Sequence, residues 1–157
     1  MLGLTKLFVV FAVLIVSGCF GDDRPPTALP TVAITVEDAD SSERLIVEVA
    51  ATLPSRTQGL MFRQKMPEDA GMIFLFAGGE QMGGFWMKDT YLPLSIAYIG
   101  ADGRIVDIRD GTPLDLTVLT PSAPYQRVLE VNQGWFQRHG LGIGSVVRFP
   151  KDLPAPE

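Results

Sequence analysis

The chain reads as an α+β domain rich in short strands, a curved antiparallel sheet or open barrel that carries two short helices. Three observations predict this. β-Branched and aromatic runs recur between residues 32 and 149, turn signals rich in glycine, proline and aspartate separate them, and only two stretches change to a helical period.

The elements follow in order. Residues 32–37 and 44–50 are β-branched runs either side of Asp38-Ala39-Asp40-Ser41-Ser42, which suits a hairpin pair. Residues 52–61 change period. Thr52 can cap a helix there, Pro54 suits a first turn, and Leu53, Leu60 and Met61 can share a face, while Gly59 weakens the helix. Residues 72–76 form a continuous apolar strand, followed by glycine-rich turns at Gly78-Gly79 and Gly83-Gly84. Residues 85–88 and 94–99 are strands with Pro93 between them. Asp102-Gly103 tolerates positive φ and makes a hairpin turn into residues 104–109, where Ile105 and Ile108 are apolar and Asp107 and Arg109 polar. Residues 110–124 are a long proline-containing connection. Residues 125–131 form a strand, residues 135–139 a short helix stopped by Gly140, and residues 146–149 a last strand.

The first residues carry a different message. Lys6 precedes an apolar run over residues 7–16, and Val16-Ser17-Gly18-Cys19 closes it with the only cysteine of the chain. That run is too short for a hydrocarbon core that needs about 20 residues, and its flanks fit a secretory signal. The closing string resembles the lipobox of bacterial lipoproteins. The resemblance implies cleavage before Cys19 and a diacylglyceryl group on its sulfur; an ordinary signal peptide or an uncleaved anchor is the alternative. Two or more acyl chains hold a protein stably on a membrane. Lipidation would also consume the only thiol, leaving no disulfide, thiolate ligand or cysteine nucleophile. The expected location is the cell envelope, lipid-anchored and facing the periplasm. Phe20 stands where aspartate signals inner-membrane retention in enteric bacteria, which tilts towards the outer membrane.

The expected organisation is a signal peptide over residues 1–18, a proline-rich tether over 19–31, one domain over 32–150 and a flexible tail over 151–157. Removing 18 of the 157 residues leaves 139, enough for one core. The cut removes one lysine, so the net charge moves from −5 to −6. An acidic surface opposes phosphate backbones, so nucleic acid is not an expected partner.

Several strings resemble a family known as a domain of unknown function, DUF192 (also UPF0127). They are Arg56-Thr57-Gln58-Gly59-Leu60-Met61-Phe62-Arg63, Gly71-Met72-Ile73-Phe74-Leu75-Phe76, Phe85-Trp86-Met87-Lys88-Asp89-Thr90, Pro93-Leu94, and Val128-Leu129-Glu130 with Gly134. The resemblance spans residues 32–149 and implies a compact β-rich fold, with no reaction to transfer. Asp89 stands where the family usually has asparagine. Ser95 and Ser145 stand at positions where an aspartate is usual or frequent, so a function needing a carboxylate at either would be lost here.

The chemistry-bearing candidates are few. On a strand, Trp86, Lys88 and Thr90 would face one way and Phe85, Met87 and Asp89 the other, which sets an indole beside a cation and a hydroxyl. That suits an anionic or sugar-like ligand; the alternative is Trp86 covering core with Lys88 snorkelling past it. Arg56 and Arg63 are seven residues apart, on one face if a helix runs through both, and arginine forks bind anions bidentately. An ion pair with Glu68, Asp69 or Glu130 is the alternative. Five of six methionines fall between residues 61 and 87, but none at Met-x-Met or Met-x-x-Met spacing, so Met61, Met82 and Met87 are a weak Cu(I) set and fit core filling better. His139 suits a helix C-cap, and acid–base work by Glu130 with Asp89 has nothing to recommend it. No cofactor is expected.

The first reading is therefore a lipid-anchored binding module whose candidate residues are Arg56, Arg63, Trp86, Lys88, Asp89, Thr90 and Glu130. The second is an assembly module for another envelope protein, with an exposed apolar patch to which residues 110–124 contribute. The third is a hydrolase, which needs two facing titratable groups in a pocket.

Overall fold

Seven strands form one sheet in the order β5-β4-β6-β3-β2-β1-β7. The structure is a computed structural model that describes residues 28–157; the expected signal peptide, Cys19 and the expected tether as far as residue 27 lie outside the described residues. Strands β1 (Thr31–Glu37) and β2 (Ser42–Ala50) form the expected antiparallel hairpin. Helix α1 (Leu53–Gln58) follows, then β3 (Ala70–Leu75), β4 (Leu94–Ile99), β5 (Ile105–Gly111), β6 (Arg127–Asn132), helix α2 (Trp135–Arg138) and β7 (Val146–Arg148). Every pairing is antiparallel except β2 with β3, which the crossover through α1 makes parallel. The fold is thus a β-rich α+β fold with two short helices.

Both faces of the sheet are covered, and β3 and β4 accordingly read as apolar runs, broken only by Ser95 in β4. One face packs Ile34, Val47, Ile73, Leu129 and Val131 against Trp135 and Phe136 of α2. The sheet curls around this cluster until its two edges meet. Arg104 bridges to Val146, the Ile105 amide donates to the Ser145 carbonyl (2.9 Å), and the Val147 amide donates to the Gly103 carbonyl (2.8 Å). On the other face, Met72, Phe74, Leu94, Ile96, Tyr98 and Val128 are covered by Leu60, Met87, Leu92 and Tyr125, supplied mainly by loops.

Three local outcomes differ from expectation. Helix α1 starts as read, with the Thr52 hydroxyl accepting from the Ser55 amide, but ends at Gly59 (φ +50) and buries no residue. Residues 85–88 form no regular strand; Phe85 makes a single bridge to Leu119. Asp107 points inward. Burial pushes its carboxyl up, but the Ser122 amide, the Ser122 side chain and Arg109 outweigh that and hold it below the usual range. In the C-terminal stretch, Leu153 packs on the core, and the Glu157 amide donates to the Ala51 carbonyl (2.9 Å).

Candidate functional site

The register sets Glu48 of β2, Met72 of β3, Glu130 of β6 and Ile96 of β4 side by side on the loop-covered face. Glu130 is the one of these two carboxyls that sits mid-sheet, 5% exposed, at the floor of a cleft of about 520 Å³. No hydrogen bond to its carboxyl forms among the described residues, and burial alone pushes that carboxyl up to about 8. At neutral pH it is a neutral acid, able to donate one hydrogen bond and accept others.

Aromatic rings wall the cleft. Phe74, Phe76, Phe85, Trp86 and Tyr125 line it. Phe74 meets Phe85 edge-on at 5.1 Å and Phe76 meets Tyr125 at 5.8 Å, which locks the rings in place. The Tyr125 hydroxyl donates to the Gly83 carbonyl (2.7 Å), and burial pushes its phenol up to about 12, so it stays protonated. Tyr98, behind the wall, is pushed higher still by burial and donates to the Leu119 carbonyl.

The expected site residues divide. Trp86 and Lys88 stand at the mouth, half-exposed and exposed, with the Lys88 Nζ 5.6 Å from the indole centroid. Thr90 lines the cleft but is buried, and its hydroxyl donates to the Lys88 carbonyl (3.0 Å). The alternation through Phe85-Trp86-Met87-Lys88 holds outward and inward, then breaks at Asp89, whose φ of 52 turns the chain. Asp89 does not line the cleft.

The two arginines do not form a clamp, because α1 stops between them. Arg63 lies at a neighbouring hollow in a bidentate pair with Glu48, Nη1 to Oε1 and Nη2 to Oε2 (2.7 Å), and that pair raises its pKa. Glu48 is thus the partner, rather than Glu68, Asp69 or Glu130. Arg56 lines the cleft but donates to the carbonyls of Ala51 (2.5 Å), Leu75 (2.9 Å) and Glu157 (3.1 Å) and lies over the Phe76 ring. Its guanidinium staples α1, β3 and the C-terminal stretch together.

The other expectations resolve as structure. Met87 is buried with its sulfur against Gly111, while Met82 is exposed, so Met61, Met82 and Met87 make no common set. No cluster of three histidine, cysteine, aspartate or glutamate side chains placed for a metal ion occurs among the described residues. His139 does sit at the α2 C-cap, its ring 4.5 Å from that of Trp135. Ser95 and Ser145 are buried. The Ser95 hydroxyl donates to Asp110 (2.6 Å) and accepts from the Gly134 amide (2.9 Å), and the Ser145 hydroxyl accepts from the Gly142 amide (3.0 Å). Both positions tie loops down, away from the cleft lining.

Sequence reasoning missed Gln81 and most of the aromatic wall, since Phe74, Phe85 and Tyr125 look like core residues until the loops are placed. It also missed a signature in the backbone. Among the described residues the non-glycine positions with left-handed φ are Phe62 (65), Asp89 (52) and Leu114 (63). They adjoin one another beside Thr90, which lines the cleft: the Phe62 amide donates to the Asp89 carbonyl (2.7 Å), and the Leu114 amide donates to the Thr90 carbonyl (3.0 Å). Each such conformation costs on the order of 1–3 kcal/mol and gathers where function constrains the chain.

The family model DUF192, described as an uncharacterized ACR, matches residues 34–149. No curated protein matches the chain. A crystal structure of a candidate transcription regulator from Sinorhizobium meliloti 1021 is similar at 32% identity and a TM-score of 0.75, over 79% of this chain and 97% of that one. A crystal structure of a protein of unknown function from Novosphingobium aromaticivorans DSM 12444 is similar at 34% identity and a TM-score of 0.74, over 94% of this chain and all (100%) of that one.

Proposed function

The chain belongs to the DUF192 family, and from that premise we propose that it is a lipid-anchored cell-envelope module whose aromatic cleft binds a small sugar-like ligand. One observation carries the reading: a buried carboxyl without a hydrogen-bond partner among the described residues forms the floor of a cleft walled by aromatic rings. A sugar ring offers an apolar face to Trp86 or Phe85 and a hydroxyl to Glu130. The anionic alternative loses support because Arg63 is paired with Glu48 and Arg56 is engaged by three carbonyls. Hydrolysis loses support too, since Glu130 is the only carboxyl among the cleft's lining residues.

The anchor rests on the lipobox-like string ending at Cys19. Among the described residues no helix is long and apolar enough to cross a membrane. The Sinorhizobium protein's description as a candidate transcription regulator is not carried over, because a net charge of −5 opposes contact with phosphate backbones. The assembly reading is favoured by one feature, the exposure of Leu114, Leu116 and Val118 in the connection after β5.

A thermal-shift screen of residues 28–157 against mono- and disaccharides, cell-wall fragments and small organic anions tests the ligand reading. A ligand at 100 times its dissociation constant should stabilise by about 2.7 kcal/mol. Trp86→Ala and Glu130→Gln are expected to weaken that shift. Arg63→Ala should leave it intact and lower basal stability by no more than about 1 kcal/mol, because its ion pair is partly solvated. A shift produced only by anions and lost in Arg63→Ala would overturn the assignment of the cleft.

A further inference from the structure

We propose that an apolar rim beside the cleft, formed by Phe62, Trp86, Tyr91, Leu114, Leu116 and Val118, rests on the lipid bilayer that holds the chain. All six side chains are about half-exposed or more, with Phe62 and Leu116 each at 63%. Three segments bring them to one end of the molecule. The Phe62 and Leu114 amides are bonded to the carbonyls of Asp89 and Thr90, the Met87 amide donates to the Asp115 carbonyl (3.0 Å), and Phe85 bridges Leu119. Gly84 lies so close to Val118 that a Cβ there would meet its Cγ1 at 2.5 Å. Two of the exposed apolar residues, Phe62 and Leu114, are held outward on left-handed backbone. The Asp115 carboxylate accepts from the Thr117 amide (2.9 Å) and tightens the turn that presents Leu116.

The path of the chain selects the occupant. Ala28 and Leu29 line a hollow with Met61, Phe62 and Arg63, so the tether leaves the domain beside the rim. Cys19 lies nine residues before Ala28. At about 3.1 Å per residue a proline-rich tether spans roughly 28 Å at full extension, so it keeps the domain within that distance of the membrane and leaves the adjacent rim free to reach it. Tryptophan and tyrosine favour the membrane–water interface, and Lys88 beside Trp86 can lie along lipid phosphates. This proposal rests on the lipid-anchor reading of Cys19.

The test uses the full chain, purified from membranes and reconstituted in vesicles of phosphatidylethanolamine and phosphatidylglycerol with brominated acyl chains. Trp86 is half-exposed and Trp135 fully buried, so bromine quenching reports Trp86 over an unquenched background. The expected result is strong quenching and a blue shift of the Trp86 emission. The exposed double substitution Leu116→Asp, Val118→Asp should reduce the quenching several-fold while the protein still floats with the vesicles. Flotation without Trp86 quenching overturns the proposal and leaves the anchor standing. A photo-crosslinker at position 116 that captures one discrete protein under those conditions would give the rim to a protein partner. A mass that shows unmodified Cys19 overturns the anchor, and the docking with it.

Discussion

Replacing Glu130 with glutamine is expected to stabilise the protein at pH 8 by roughly 4 kcal/mol and to change little near pH 4.5. Burial holds the folded-state carboxyl near 8, against 4.5 in the unfolded chain. Between those values the folded protein keeps a proton that the unfolded chain releases. The Glu130 contribution to stability therefore falls by about 1.4 kcal/mol for each pH unit across that window, and is flat on either side. Asp38, Asp107 and Asp115 are all held below the usual carboxylate range, so they titrate beneath the window and contribute nothing to the slope within it. Urea denaturation of both proteins across the window measures the difference. Parallel pH profiles would show that Glu130 ionises freely, and the neutral acid at the cleft floor would have to be abandoned. A ligand that accepts a hydrogen bond from Glu130 should also lose affinity above pH 8.

Gly71→Ala is expected to destabilise by about 3 kcal/mol, at the upper end for overpacking. A Cβ at Gly71 would lie 2.4 Å from the Glu130 carbonyl oxygen and 3.1 Å from Val131 Cγ1. The first contact is backbone, so relief requires β3 and β6 to part where both are buried. The same movement displaces Glu130, so residual folded protein should bind the proposed sugar-like ligand more weakly. Gly142→Ala is the matched control: a Cβ there meets nothing within 4 Å, and stability should stay within about 0.5 kcal/mol. Equal denaturation midpoints for the two variants would sink the argument. The clash also accounts for a glycine at the head of the Gly71-Met72-Ile73-Phe74 string without any appeal to ligand binding.

The strands were legible because burial writes them directly. Residues 94–99 are apolar apart from Ser95, and β4 spans them with all six residues buried. The hairpin of β1 and β2 follows from two β-branched runs around an aspartate-rich turn. The parallel pairing of β2 with β3 was hidden, since no local signal distinguishes which neighbour a buried run will take. Asp107 was misread because a carboxylate that accepts bonds from Ser122 and Arg109 can occupy an inward position that alternation reserves for apolar residues. At the site, Trp86, Lys88, Thr90, Glu130 and Arg56 were legible as chemistry-bearing residues lining one cleft. Their roles were not: the role of Arg56 depends on backbone oxygens of Ala51, Leu75 and Glu157, the last two distant in sequence, and that of Arg63 on Glu48 in β2. Phe62 and Leu114 look like core residues, and only the backbone turns at these positions put them outside.

For a chain anchored as proposed, the meeting of β7 with the start of β5 bears on how many copies can share a membrane. A sheet offers another chain a template along any unpaired strand edge, and anchoring raises local concentration in two dimensions. Here β7 is three residues long, lies against β1, and touches the β5 side through Arg104 and Ile105. The remaining length of β5 carries Asp107, Arg109 and Asp110, and the Ser122 amide donates to Asp107 across it. Short, charged and partly covered edges discourage strand addition between molecules. The curl that encloses the core therefore also equips the protein to stand densely on a surface without fusing into fibres.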